Sequence, residues 1–125
     1  KILSGEPDSS VTIVTVGFLT NIAALLQSPA DEYSPLNGKE LVAKKVKRLV
    51  SMAGGFPEFQ EFNIKEDAAS AKYAFENFPR EIIFSGFEIG AKIKTGLPLI
   101  NNDSIQNSPV KDVFRICINM VEFHR

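Results

Sequence analysis

The sequence is poor in the residues that most often mark a site. Its 125 residues include one cysteine and one histidine, and the formal charge is −1. A single thiol, Cys117, excludes an internal disulfide and a cysteine-held metal cluster. It falls in an apolar run with helical spacing, so a buried structural thiol is expected there. The near-neutral charge gives no field that would draw the chain to nucleic acid or to an anionic membrane. No stretch approaches the roughly 18–20 apolar residues needed to span a bilayer. A charged-then-apolar leader, internal repeats and low-complexity tracts are also lacking. The compartment therefore stays open, with the cytoplasm as default.

What is present is ordinary for a folded domain: 44% hydrophobic and 23% charged residues. Both ends read as cut. Lys1-Ile2-Leu3-Ser4-Gly5 has the form of a last helical turn with Gly5 as C-cap, and residues 110–125 run off without a stop signal. The expectation is a single partial domain over 1–125, truncated at both ends.

Three β-branched or apolar runs, 11–16, 48–52 and 81–85, read as strands. The near-continuous apolar character of the first suits a strand covered on both faces, as in a parallel sheet. Between them lie helical patterns. Thr20 is the expected N-cap of a helix carrying Ile22, Leu25 and Leu26 on one face and closed by Pro29. A short helix follows over 38–46, with Leu41 and Val42 turned inward. Asp67 caps a helix over 68–78, with Ala71, Phe75 and Phe78 inward. A turn or two of helix is expected over 87–93, a polar loop over 95–108, and a final helix from Pro109. Alternating strands and helices predict an α/β, Rossmann-like fold: a mainly parallel sheet with flanking helices.

Lys39, Lys44, Lys45, Lys47 and Arg48 form the one basic cluster, and no aromatics interleave with them to stack bases. A solvated helix face is the simpler reading. In open α/β sheets ligands gather beyond the carboxyl ends of the strands. Three segments leave such ends here: 17–20, 53–63 and 86–88. The middle one carries Gly54-Gly55 and then Glu61-Phe62-Asn63. Read as extended backbone, it places Glu61 and Asn63 on one side and Phe62 on the other. A carboxylate beside a carboxamide suits vicinal hydroxyls, since one accepts and the other both accepts and donates. No Gly-x-Gly-x-x-Gly follows any strand, which disfavours a dinucleotide site.

Three ordered motifs then bring a family into view. Val14-Thr15-Val16-Gly17-Phe18-Leu19-Thr20-Asn21-Ile22-Ala23, Met52-Ala53-Gly54-Gly55, and Glu61-Phe62-Asn63-Ile64 with Asp67-Ala68-Ala69 resemble segments of the inosine-uridine-preferring nucleoside hydrolases. The resemblance covers about residues 11–90. It implies hydrolysis of the N-glycosidic bond of ribonucleosides by water activated on calcium. It assigns ribose hydroxyls to Glu61 and Asn63, the pocket lining to Phe62 and Met52, and one calcium ligand to the backbone carbonyl of Val16. A ribonucleoside or other ribosyl small molecule is the implied partner, with neither nucleic acid nor membrane, and the assembly implied is a homo-oligomer.

Several positions depart from the pattern. The family's N-terminal aspartate cluster has no counterpart in Glu6-Pro7-Asp8, and the later aspartate that completes the metal site is missing. His124 is the sole histidine and has no adjacent aspartate. The family's Gly-Asn ahead of Glu-Phe-Asn is not found in residues 56–60, while Phe18 and Ala68 each stand where proline is usual. No catalytic acid or base is therefore assigned within the chain, and the chain alone is expected to be inactive. Two other readings remain open: a non-catalytic ribose- or nucleoside-binding protein of the same fold, and a Rossmann-like domain without a sugar site.

Overall fold

The computed structural model describes residues 1–93 and 95–122. The chain divides into two compact units, Lys1–Ala91 and Lys92–Arg125. The first runs α1 (Ile2–Gly5), β1 (Val11–Thr15), α2 (Thr20–Gln27), α3 (Gly38–Lys45), β2 (Val46–Met52), α4 (Phe62–Glu66), α5 (Ala68–Asn77), β3 (Glu81–Ser85) and the start of α6 (Phe87–Lys92). The strands form a parallel sheet in the order β1-β2-β3, with Ile13 beside Leu49 and Leu49 beside Ile82. This is the α/β arrangement expected.

The order of the strands decides where the core lies. Both crossovers step in the same direction, and right-handed connections then put both sets of helices on one side of the sheet. Accordingly α2 packs against both α3 and α5. The core between these helices and the sheet holds Leu19, Ile22, Leu26, Val42, Val46, Leu49, Ala71, Ala74 and Phe78. Each fully buried valine or leucine there contributes about 1.5–3 kcal/mol relative to an exposed one.

The expectation of a first strand covered on both faces is corrected. Alternate residues of a strand face opposite ways, and the second face of the sheet is open at β1, where Val14 is 64% exposed. Ile83 on β3 is exposed as well, with Val50 half-buried between them in register.

Local signals also shift. Gly5 is the last residue of α1, and the C-cap is Glu6 in an extended conformation that needs no glycine. Thr20 is the first residue of α2 rather than its N-cap, a place taken by Leu19. Asn37 caps α3 in a reciprocal pair: its side chain accepts from the Glu40 N–H at 2.9 Å, and Glu40 accepts from the Asn37 N–H at 3.0 Å. Asp67 caps α5 as expected.

The second unit contains α7 (Leu97–Ile100), inside the stretch read as polar loop, and α8 (Pro109–Glu122). Lys111 is buried there, its ammonium donating to the carbonyls of Asn102 at 2.7 Å and Ile105 at 3.2 Å. Cys117 is exposed, not buried. Its neighbours Val113 and Ile116 on α8 are exposed too, so the apolar spacing that suggested burial finds no layer to pack against among the described residues. His124 lies outside the described residues.

Candidate functional site

Because the strands are parallel, their carboxyl ends lie along one edge of the sheet. Val16-Gly17-Phe18 leaves β1, the loop from Ala53 to Glu61 leaves β2, and Gly86-Phe87-Glu88 leaves β3. The middle loop is pinned to the third. Phe87 N–H donates to the Gly54 carbonyl at 2.9 Å, and Phe56 N–H donates to Glu88 Oε2 at 3.0 Å. Gly54 sits at φ +82°, a conformation in which a side chain is strained. Glu88 is the residue that sequence reasoning missed: a contact spanning 32 positions leaves no local signal.

Glu61 and Asn63 come together, but not as an extended pair. Glu61 is the N-cap of α4, and Asn63 lies in that helix's first turn. The Glu61 carboxylate is only 4% exposed as a residue. Its Oε1 accepts from Asn63 N–H at 2.9 Å, and its Oε2 from Ile64 N–H at 3.2 Å and Gly54 N–H at 3.4 Å. The first turn of a helix has unpaired N–H groups that a capping oxygen satisfies, so the buried acid is held by the turn it starts. Two bonds fill Oε2; one acceptor site remains on Oε1.

Asn63 is half-buried. Its Nδ2 donates to the Met52 carbonyl at 3.2 Å and lies 3.3 Å from Met52 Sδ. Both donors are thus turned toward the end of β2, and among the described residues Oδ1 accepts no bond. Met52 touches the site as the anchor of this amide. Phe62 is 62% exposed and meets Phe18, with ring centroids 5.7 Å apart and planes at 46°. A hollow of about 400 Å³ beside Glu61 is lined by Gly54, Phe59, Gln60, Ile64, Lys65 and Ala68.

Below this site Asp67 ties two motifs together, accepting from Ser70 N–H at 3.2 Å and from the Thr20 hydroxyl of α2. The Thr20 hydroxyl, and then Ser70, hold the Asp67 carboxyl below its ordinary value. A carboxyl whose pKa is lower folded than unfolded stabilises the fold above its unfolded value, and that stabilisation is lost as pH falls through the folded one. Asp67→Asn therefore lowers Tm near neutral pH, and its difference from the parent shrinks as pH drops below about 4. Thermal melts of both proteins between neutral and acid pH check this.

The chain matches, over residues 1–124, the sequence model of the family described as inosine-uridine preferring nucleoside hydrolase. It belongs to that family. No curated protein and no solved structure matches it. Nucleoside hydrolases cut the N-glycosidic bond of nucleosides and use a metal ion. Measured against that chemistry, the described residues do not make a complete cation site. A calcium ion takes about six to eight oxygen ligands, and among the described residues no three acidic, histidine or cysteine side chains converge. Val16 is exposed just beyond β1. Asp8 is engaged at the other end of the strands, 2.8 Å from the Lys45 ammonium.

Proposed function

We propose that the intact protein hydrolyses the N-glycosidic bond of a ribonucleoside or a related ribosyl compound, and that these residues supply its ribose-binding part. One observation carries the reading. Glu61 and Asn63 stand in a single helical turn, each fixed by contacts that leave one acceptor, Oε1 and Oδ1. Adjacent sugar hydroxyls donate to such a pair. Both acceptors are held before the substrate arrives, so little ordering is needed on binding. Contacts that tighten as the ribosyl group turns oxocarbenium-like raise the rate, whereas contacts equal in both states only bind.

Calcium, when bound by the intact protein, would lower the pKa of a bound water and make it a nucleophile at neutral pH. Toward that ion the described residues offer the Val16 carbonyl. Glu61, Asn63, Phe62 and Met52 bind and orient; none is assigned the general base. The 125 residues alone are accordingly inactive, and the intact protein acts as a homo-oligomer.

The test is release of free base and ribose from a panel of ribonucleosides by the intact protein, with and without a calcium chelator. Chelator-sensitive release is expected, with none from the 125 residues alone. Turnover by the 125 residues would overturn the division of the site. Tight ribonucleoside binding without cleavage in the intact protein would replace the hydrolase with a binding protein of the same fold.

A further inference from the structure

The loop that leads to Glu61 is gripped from the neighbouring strand. Its backbone reaches the Glu61 carboxylate through Gly54 N–H, and at 3.4 Å that bond stands at the long end of the useful range. A small displacement of Gly54 breaks it. Gly54 sits at φ +82°, and a glycine's own conformational preferences do little to hold it there. The restraint comes from the segment leaving β3. Phe87 N–H donates to the Gly54 carbonyl at 2.9 Å, and two residues further along Phe56 N–H donates to Glu88 Oε2 at 3.0 Å. The Glu88 side chain is half-buried and folds back over the buried Gly86. A Cβ on Gly86 would fall on both Glu88 carboxylate oxygens, so the grip needs a bare backbone at that position.

We propose that Glu88 is a positioning residue for the ribose site: by holding Phe56 N–H it fixes Gly54, and through Gly54 it sets the Glu61 carboxylate. The role rests on the ribosyl reading of Glu61 and Asn63. Of the bonds on Glu61, those from Asn63 and Ile64 are internal to α4 and fix the carboxylate within its own turn. The Gly54 bond ties it to the end of β2. Asn63 Nδ2 on the Met52 carbonyl keeps the start of α4 in place independently. Loss of the Glu88 grip therefore shifts the open Oε1 acceptor without releasing the helix. A contact that tightens only as the ribosyl group becomes oxocarbenium-like is weakened by such a shift, so kcat falls while KM changes little.

The test is a set of variants of the intact protein, assayed for ribonucleoside hydrolysis well below the melting temperature. Glu88→Ala removes the acceptor. Gly86→Ala leaves Glu88 in the chain but pushes its carboxylate away from Phe56 N–H. Glu88→Gln keeps an oxygen that accepts. Glu88→Ala and Gly86→Ala are each expected to lower kcat/KM by about 10- to 100-fold, the range up to a misplacement of about 1 Å. The loss falls mainly in kcat, the double variant is no worse than either single one, and Glu88→Gln recovers most of the activity. In a Glu61→Ala background, Glu88→Ala is expected to cost less than about 2-fold more, because the group it positions is gone. Full activity in Glu88→Ala, or an equal loss with and without Glu61, would overturn the role of Glu88 while leaving the ribose site standing. An unsubstituted protein that neither cleaves nor binds a ribonucleoside would overturn the ribosyl reading, and this role with it.

Discussion

Glu61→Ala in the intact protein is expected to lower kcat/KM for a ribonucleoside by about three orders of magnitude. Two losses combine. Removing a hydrogen bond to a charged group costs about 1.5–3 kcal/mol. The second loss is geometric: the carboxylate also holds Gly54, Asn63 and Ile64 N–H groups, so its removal frees both the start of α4 and the loop. A misplacement of about 1 Å at a reacting centre costs about 100-fold. The same variant leaves three N–H groups without their partner and lowers stability by about 2 kcal/mol. Asn63→Ala separates the effects. It removes an acceptor and the side-chain donor to the Met52 carbonyl but orphans no capped N–H, so activity falls while Tm drops less than in Glu61→Ala. Steady-state kinetics and thermal melts on both variants decide the matter. If Glu61→Ala lowers Tm yet leaves kcat/KM intact below the melt, Glu61 is a helix cap alone.

Gly38→Ala should be the most destabilising single-methyl change in the first unit. Gly38 is the first residue of α3, buried against the end of α2, and its N–H donates to the Ser28 carbonyl at 2.9 Å. A Cβ at this position would fall on the Leu25 carbonyl oxygen and Ser28 Oγ, well inside van der Waals contact. The obstacle is backbone that the end of α2 fixes, so relief requires α2 and α3 to part. Overpacking a well-filled site costs about 1–3 kcal/mol, occasionally more. For a unit of this size each kcal/mol shifts Tm by about 4–8 °C. A fall of about 10 °C or more is expected, read by calorimetry or circular dichroism. Gly17→Ala, where a Cβ meets nothing within 4 Å, serves as the contrast and should shift Tm little.

Residues 14–23 and 48–52 made the strand and helix legible because β-branched runs and helical spacing are local properties. Asp67 was legible as a cap for the same reason. The pairing of Glu61 with Asn63 was also readable, but its geometry was not. Glutamate is an uncommon N-cap, and residues 59–63, with Phe59 and Phe62 three positions apart, are too short a stretch to mark a helix start. The helical turn wins because the carboxylate, buried beside Gly54, collects three N–H groups that an extended chain would not bring to it. The open face of the sheet was hidden for another reason. Whether helices flank one side or both depends on strand order, which no short stretch of sequence encodes. Glu88 and the Phe18–Phe62 pair are long-range contacts of the same kind.

The parallel arrangement has a consequence for timing. Val11 pairs with Val46 and Thr15 with Ser51, so β1 has no partner until β2 has been synthesised and has crossed back over the helices. The Thr20–Asp67 bond closes across 47 positions and is later still. Contacts this distant in sequence demand loop closure before they repay it, which slows folding relative to a hairpin-built domain. As the chain leaves the ribosome, α2 and β1 must wait with their apolar faces uncovered. The edge that gathers Glu61, Asn63 and the phenylalanines is therefore assembled only when β3 docks and its flanking Glu88 takes hold of the loop.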